Sequence, residues 1–299
     1  MLALVWSSAA GGPMPASPPA GAPKRVMRFM RIVALAPSVT ETLFAVGAGA
    51  EVVGVCDLSD FPPEARVIDR VGSYLRPNVE SVIAHRPDLV LAVPSPGNRE
   101  AVEALSNLGL RVVVVEEGPT LREVYAAIET IAAEAGQSEA GRALALRIRG
   151  RVEEVRRAVA ARPRKRVAMI VGQNPLVAVG GDNLLDELIG LAGGENVAGG
   201  LGRWPRLSVE FLVKSAPQVV IDSSMGQDGH DGHDGHDADD APGDATFLEG
   251  LGLEAVKTKH VHRLRIDEVL RPGPRVGDGF ARLARLLHPE AFSREDPAP

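Results

Sequence analysis

Short, continuously apolar runs alternate with longer amphipathic stretches along the chain from Arg31 onward. The runs that predict strands lie within residues 31–37, 52–55, 88–93 and 111–116. A strand that is apolar along its whole length, rather than at every second position, is typical of a parallel sheet covered on both faces. Amphipathic stretches such as 98–109 predict the covering helices. The pattern therefore predicts an α/β domain.

Two long helical stretches, 120–136 and 138–163, follow this first region. The second predicts a helix of about 23 residues, roughly 35 Å long, that ends before Pro163 because proline cannot continue a helix. Strands predicted within 166–172, 217–223 and 259–264, with a helical stretch at 183–194, then restore the alternation. We therefore expect four segments: a signal remnant and tether at 1–30, a first lobe at 31–118, linking helices at 119–162 and a second lobe at 163–294.

An internal repeat supports two related lobes. Residues 78–92 and 208–222 align without a gap, each with a helix-capping residue, a valine, a glutamate, a proline and an apolar strand. The matched glutamates are Glu80 and Glu210. Repetition of this length predicts a duplicated lobe rather than a solenoid.

The N-terminal sequence is compatible with two cellular locations. Residues 1–12 form an apolar run closing on small residues, like the end of a secretory signal, but no basic segment precedes it. A start further upstream would make the protein periplasmic or otherwise extracytoplasmic, whereas a start at Met27 or Met30 would make it cytosolic. No later run approaches the roughly 18 apolar residues that a membrane span needs, so none is predicted.

Composition and motifs exclude several functions. A net charge of −6 gives no electrostatic reason to bind nucleic acid or an anionic membrane. The single cysteine, Cys56, excludes an intramolecular disulfide and is predicted to lie in the core. The chain has no nucleophile elbow, no phosphate-binding lysine loop and no paired-histidine zinc motif. We therefore expect a binding protein rather than an enzyme.

Five motifs carry a resemblance to a known family: PSVTETLFAVGAG, DFPPEA, NVESVIAHRPDLVLA, LAGGENV and RWPRLSVEFLVKSAPQVVI. From about Arg31 to about Phe292 the chain resembles the substrate-binding proteins of ABC importers for cobalamin, haem and ferric siderophores, and it is most similar to the cobalamin-binding members. The resemblance implies an α/β fold of two Rossmann-like lobes joined by a single long backbone helix, the class III periplasmic binding protein fold. It also implies a monomer that requires no cofactor and delivers cobalamin or a related corrinoid to a membrane permease.

The same resemblance assigns roles to residues. It implies that Glu80 and Glu210 dock on arginines of the permease, although each glutamate would also complement the N-terminal dipole of its own helix. The positions that it places against the ligand are Phe61, Tyr74, Val93, Val177, Trp204, Asp267 and Arg271. Val93 and Val177 stand where relatives can carry a tryptophan and a phenylalanine. Two alternatives stay open: Trp204 as a ring packed on the surface, and Asp267 paired with Arg271.

Haem and ferric siderophores remain alternative ligands. Haem would need an axial ligand, for which Tyr74 is the candidate, since His85 ends a short helix and is expected at the surface. An anionic siderophore would need basic residues facing the cleft, and the candidates are Arg76, Arg203 and Arg271.

A histidine- and aspartate-rich loop, 225–244, supports a more distant alternative. His230, His233 and His236 would form a weak, reversible site for zinc, nickel or cobalt, and a plain solvated loop is the competing interpretation. If this loop were the functional site, the protein would be a divalent-metal receptor or a cytosolic metal chaperone. His260 and His262, which alternate along a predicted strand, add weakly to that alternative.

Overall fold

The computed structural model describes residues 30–224, 248, 250–264 and 271–292. The first lobe is built on a sheet of four parallel strands in the order β2-β1-β3-β4. The strands are β1 Ile32–Ala34, β2 Val52–Val55, β3 Leu89–Ala92 and β4 Val112–Val114. Its helices are α1 Pro37–Ala45, α2 Val79–Ala84 and α3 Arg99–Asn107. Each strand lies within a predicted run.

Both faces of the first sheet are covered, which explains why its inner strands are apolar throughout. Ile32 and Ala34 join the core on the side of α1, where Leu43 is buried. Val33, between them, points to the other face and packs in a separate cluster with Val82 of α2 and other buried aliphatic side chains. Alternate positions of one strand therefore enter two different cores, as the apolar pattern predicted.

Two helices connect the lobes: α4 Leu121–Glu134 and α5 Ser138–Val159. At 22 residues, α5 has close to the predicted length and ends before Pro163. Its buried stripe recurs every three or four residues and consists of Leu144, Ile148, Val152, Val155 and Val159. This stripe packs α5 against α4 on one side and against the last helix of the chain on the other.

The second lobe has a mixed sheet in the order β6-β5-β8-β9, with β7 also paired to β5. The strands are β5 Lys165–Gln173, β6 Leu176–Ala178, β7 Gly194–Asn196, β8 Val219–Asp222 and β9 Val261–Arg263. The helices are α6 Leu184–Leu191, α7 Val209–Ser215, α8 Glu254–Lys257 and α9 Val276–Leu287. All pairings are parallel except β5–β6, a hairpin. Neither β6 nor α9 is predicted from the sequence.

The internal repeat is visible in the backbone. The Asn78 side chain accepts a hydrogen bond from the Ser81 N–H at 3.0 Å, and the Ser208 hydroxyl accepts one from the Phe211 N–H at 3.1 Å. The helices that they cap, α2 and α7, are each followed by a left-handed residue directly before a proline, and these residues have φ values of 46° and 45°. Each helix then leads into an inner strand, β3 or β8. The two segments that align in sequence thus share one local structure.

Among the residues that the structure describes, no helix is both long enough and apolar enough to span a bilayer.

Candidate ligand-binding cleft

A cavity of about 440 Å³ lies between the two lobes. In the first lobe its lining comes from the segment between β2 and α2 and from the loops that follow β3 and β4. In the second lobe it comes from the start of α6, the loop before α7 and the segment before α9. The lining residues are Tyr74, Val93, Pro94, Glu117, Gly118, Pro119, Asn183, Leu184, Leu185, Arg203, Trp204 and Pro272. Loops at the carboxyl ends of strands are where α/β folds place their ligands.

Asn98 fixes the wall of the cavity that carries Tyr74. This side chain is 1% exposed, and its amide nitrogen donates hydrogen bonds to the carbonyls of Tyr74 at 3.2 Å and Val93 at 2.9 Å. Its amide oxygen accepts a bond from the Ser95 N–H at 3.0 Å. Asn98 therefore joins the Tyr74 loop to the loop after β3. Asn98 is not among the residues predicted from the sequence to form the site, although a polar residue directly before α3 was a usable signal.

Trp204 lies on the opposite wall and is 47% exposed. Its loop is held by backbone hydrogen bonds: Gly180 N–H donates to the Arg203 carbonyl and Ala178 N–H to the Pro205 carbonyl, each at 3.0 Å. A Cβ atom at Gly180 would lie 1.9 Å from the Gly202 carbonyl oxygen, so only glycine permits this close approach. The ring is thus presented to the cavity on a fixed loop.

Glu117 adds an ionisable group to the lining. Burial raises the pKa of this carboxyl to about 7, although the Ser38 hydroxyl donates a hydrogen bond that acts in the other direction. Burial also raises the pKa of Tyr74, and the nearby Glu117 carboxyl adds to that increase. Glu117 is not among the residues predicted from the sequence to form the site.

Beside the cavity, a cluster of ion pairs joins the C-terminal part of the chain to the first lobe. Arg275 donates from Nε and Nη2 to the two carboxylate oxygens of Glu41, at 2.9 and 2.6 Å. Its guanidinium carbon also lies 4.2 Å from the ring centroid of Phe61. Arg271 donates to Asp60 at 2.5 Å. We call these five residues the arginine cluster.

Two residues predicted to contact the ligand, Phe61 and Arg271, belong to the arginine cluster. Phe61 packs under Arg275, and the Arg271 guanidinium is bonded to Asp60. Neither residue lines the cavity. Val177 lies on β6, where it pairs with Gly172 and bridges Arg206, and it does not line the cavity either. That Phe61, Arg271 and Val177 contact a ligand therefore stays a prediction. Tyr74, Val93 and Trp204, by contrast, line one cavity.

Several predicted ligand-binding and metal-binding residues lie away from the cavity or outside the residues that the structure describes. Asp267, His230, His233, His236 and the loop 225–244 fall outside them. Within the described residues, no group of three or more His, Cys, Asp or Glu side chains could hold a metal ion. The rings of His260 and His262 lie 6.3 Å apart at β9.

Two other residues singled out in the sequence lie away from the cleft wall. His85 was expected at the surface, but its side chain is only 17% exposed. Its Nε2 lies 3.1 Å from Asp69 Oδ2. Cys56 is buried in the first lobe, as predicted.

Glu80 and Glu210 occupy matched, exposed positions in the first turns of α2 and α7. One turn later each helix carries an exposed aliphatic side chain, Ile83 or Val213. The two lobes thus present the same pair of groups, a carboxylate with an aliphatic neighbour.

The family model for the periplasmic binding proteins matches residues 32–267. The chain belongs to this family, whose members are binding proteins rather than enzymes. Its fold is the expected one, α/β with two Rossmann-like lobes joined by a long backbone helix, as in class III periplasmic binding proteins.

Three relatives illustrate the range of the match. An ABC transporter substrate-binding lipoprotein of Bacillus subtilis, YvrC, is 28% identical over 88% of this chain and 81% of that protein. The periplasmic vitamin B12 binding protein BtuF of Vibrio cholerae superposes with a TM-score of 0.72 at 26% identity, covering 88% of this chain and 98% of that one. The periplasmic haem-binding protein BhuT, solved with two haems, gives a TM-score of 0.75 at 26% identity, covering 88% and 99%.

Proposed function

We propose that this protein is the substrate-binding component of an ABC importer and that it carries cobalamin or a related corrinoid in the cleft. One observation carries the proposal: Tyr74 and Trp204, from different lobes, line a single cavity. Aromatic rings contributed by both lobes suit a flat macrocycle, and Val93 adds an aliphatic residue to the same lining. The similarity to a vitamin B12 binding protein supports this ligand class.

Haem is the second candidate. It is favoured by the similarity to a haem-binding protein of nearly equal TM-score and by the phenol of Tyr74 on the cavity wall, since tyrosinate is a known axial ligand of haem iron. A ferric siderophore has less support, because Arg271 is bonded to Asp60 and Arg203 donates to the Asp182 carbonyl at 2.9 Å.

The permease would be engaged through Glu80 and Glu210. Both carboxylates are exposed at equivalent positions of the two lobes, and a carboxylate can take a bidentate arginine of the partner. Ile83 and Val213 would add an apolar contact beside each ion pair. The similarity to an ABC transporter lipoprotein supports this partner and a periplasmic or extracytoplasmic location. We expect the protein to act as a monomer.

No resident cofactor is proposed, and the macrocycle is cargo. A weak zinc, nickel or cobalt site at His230, His233 and His236 stays a prediction that is separate from the cleft.

Titration of the purified protein with cyanocobalamin and with haemin tests the proposal. We expect one corrinoid per chain, and Trp204→Ala should weaken its binding by about 1–3 kcal/mol, as expected for a buried aromatic anchor. Leu108→Ala is the control, because Leu108 is exposed and does not line the cavity. Binding of haemin alone would favour the second candidate, and binding of neither compound at high micromolar concentration would refute a macrocycle carrier.

A further inference from the structure

Glu117 differs from the other enclosed carboxylates around the cleft. Glu41 and Asp60 each pair with an arginine of the arginine cluster. Among the described residues, no ion pair joins Glu117 to a basic side chain, and Ser38 supplies its side-chain hydrogen bond. Because unpaired carboxylates are costly to enclose, a structural role would normally come with a counter-charge. Glu117 instead lines the cavity in which the ligand is proposed to lie.

The chemistry of the carboxyl group then bears on which ligand fits. An ionised carboxylate accepts hydrogen bonds from N–H and O–H groups and donates none. A corrinoid carries amide side chains around its ring, and these supply N–H donors. Haem carries two propionates, and a propionate near Glu117 would bring two negative charges together in a partly desolvated space. One residue would thus favour the first macrocycle and disfavour the second.

We propose that Glu117 is a specificity-determining residue, which accepts a hydrogen bond from an N–H or O–H donor of the ligand and disfavours ligands with peripheral carboxylates. This inference rests on the proposed function, because it requires that the macrocycle occupy this cavity. The Ser38 hydroxyl donates a hydrogen bond to one oxygen of this carboxyl group.

The groups around Glu117 permit a pH test between pH 6 and 8. On the cavity wall, the titratable or charged neighbours are Tyr74 and Arg203. Tyr74 titrates above this range, because its pKa is raised from 10 by burial. Ser38 does not titrate. The pKa of Glu117 is about 7. Glu41, which lies on α1 with Ser38, also has a raised pKa but keeps its bonds to Arg275, so the comparison with a Glu117 variant identifies the part of the pH response that comes from Glu117.

Glu117→Gln tests the inference, because glutamine keeps an acceptor oxygen and removes the charge. At pH 8 we expect the ratio of the dissociation constants for cyanocobalamin and haemin to shift about tenfold in favour of haemin, the effect of removing one like charge near the site. In the unmodified protein the same ratio should shift in that direction between pH 8 and pH 6, and the variant should lose this pH dependence. Glu116→Gln, at the exposed neighbouring residue, should alter neither quantity.

The titrations distinguish a failure of the proposed role of Glu117 from a failure of the proposed carrier function. If the unmodified protein binds both macrocycles and Glu117→Gln leaves both the ratio and its pH dependence unchanged, the role of Glu117 is wrong and the carrier function stands. If it binds only one of them, an unchanged dissociation constant for that macrocycle in Glu117→Gln at pH 8 has the same meaning. If the unmodified protein binds neither cyanocobalamin nor haemin, the carrier function is wrong and the inference is overturned with it. Thermal unfolding of each variant at pH 8 controls for loss of fold.

Discussion

Replacing Arg275 with alanine should destabilise the protein by about 3–5 kcal/mol, the usual cost of removing one partner from a buried ion pair. The side chain of Glu41 is 2% exposed, and both of its carboxylate oxygens accept bonds from Arg275. Without the guanidinium, a nearly inaccessible charge would lose its partner. The lost stacking on Phe61 adds to the same effect, by about 0.5–1 kcal/mol or more.

Urea unfolding followed by circular dichroism measures the change in the free energy of unfolding. Arg99→Ala is the matched control, because Arg99 forms an ion pair with Glu103 that lies in solvent and should contribute little. The double variant Glu41→Gln/Arg275→Ala should recover part of the loss, since it removes the stranded charge. If Arg275→Ala unfolds within about 1 kcal/mol of the unmodified protein, our description of the arginine cluster as a structural contact is refuted.

The loss in Arg275→Ala should depend on pH. Burial already raises the pKa of Glu41 while Arg275 opposes it, so removing the arginine raises that pKa further. A carboxyl group whose pKa is higher in the folded than in the unfolded state contributes stability at low pH and loses that contribution as pH rises through the folded pKa. The deficit relative to the unmodified protein should therefore be larger at pH 8 than at pH 5. A deficit that grows as pH falls would contradict this reasoning.

Two further predictions concern the cleft and the docking residues. Gly180→Ala should displace the loop that carries Trp204, lowering ligand affinity and changing tryptophan fluorescence, whereas Gly200→Ala should change neither, because a Cβ at Gly200 meets nothing within 4 Å. The double variant Glu80→Ala/Glu210→Ala should keep its ligand titration and lose stimulation of transport in a reconstituted importer. Loss of ligand binding in that double variant would place the two carboxylates in the site or the fold instead.

The sequence predicted those strands and helix ends that are marked by neighbouring residues, such as an apolar run or a proline. The apolar runs predicted β1 to β4; the inner strands β1 and β3 are apolar throughout because both faces of the sheet are covered there, and Pro163 marked the end of α5. Tyr74 and Trp204 were placed in the cleft by the family resemblance and not by periodicity. The hairpin strand β6 was missed because a three-residue strand after a turn has too little pattern to be recognised.

The arginine cluster could not be predicted in the same way. Glu41 and Arg275 are 234 residues apart, and no local pattern indicates which arginine meets which carboxylate. In sequence, Glu41 resembles an ordinary polar position of an amphipathic helix. Glu116 and Glu117 are likewise identical neighbours in sequence, and only the fold distinguishes the exposed carboxylate from the one on the cavity wall.

The ion pair between Arg275 and Glu41 gives the two lobes a second attachment besides the linking helices. Two lobes joined only by the linking helices could rotate about them as a hinge. A second contact between the lobes restricts this rotation. We therefore expect the width of the cleft to change little on binding, so that binding loses little conformational entropy. A cleft of fixed width would favour the planar macrocycle proposed above over a bulkier chelate of similar charge.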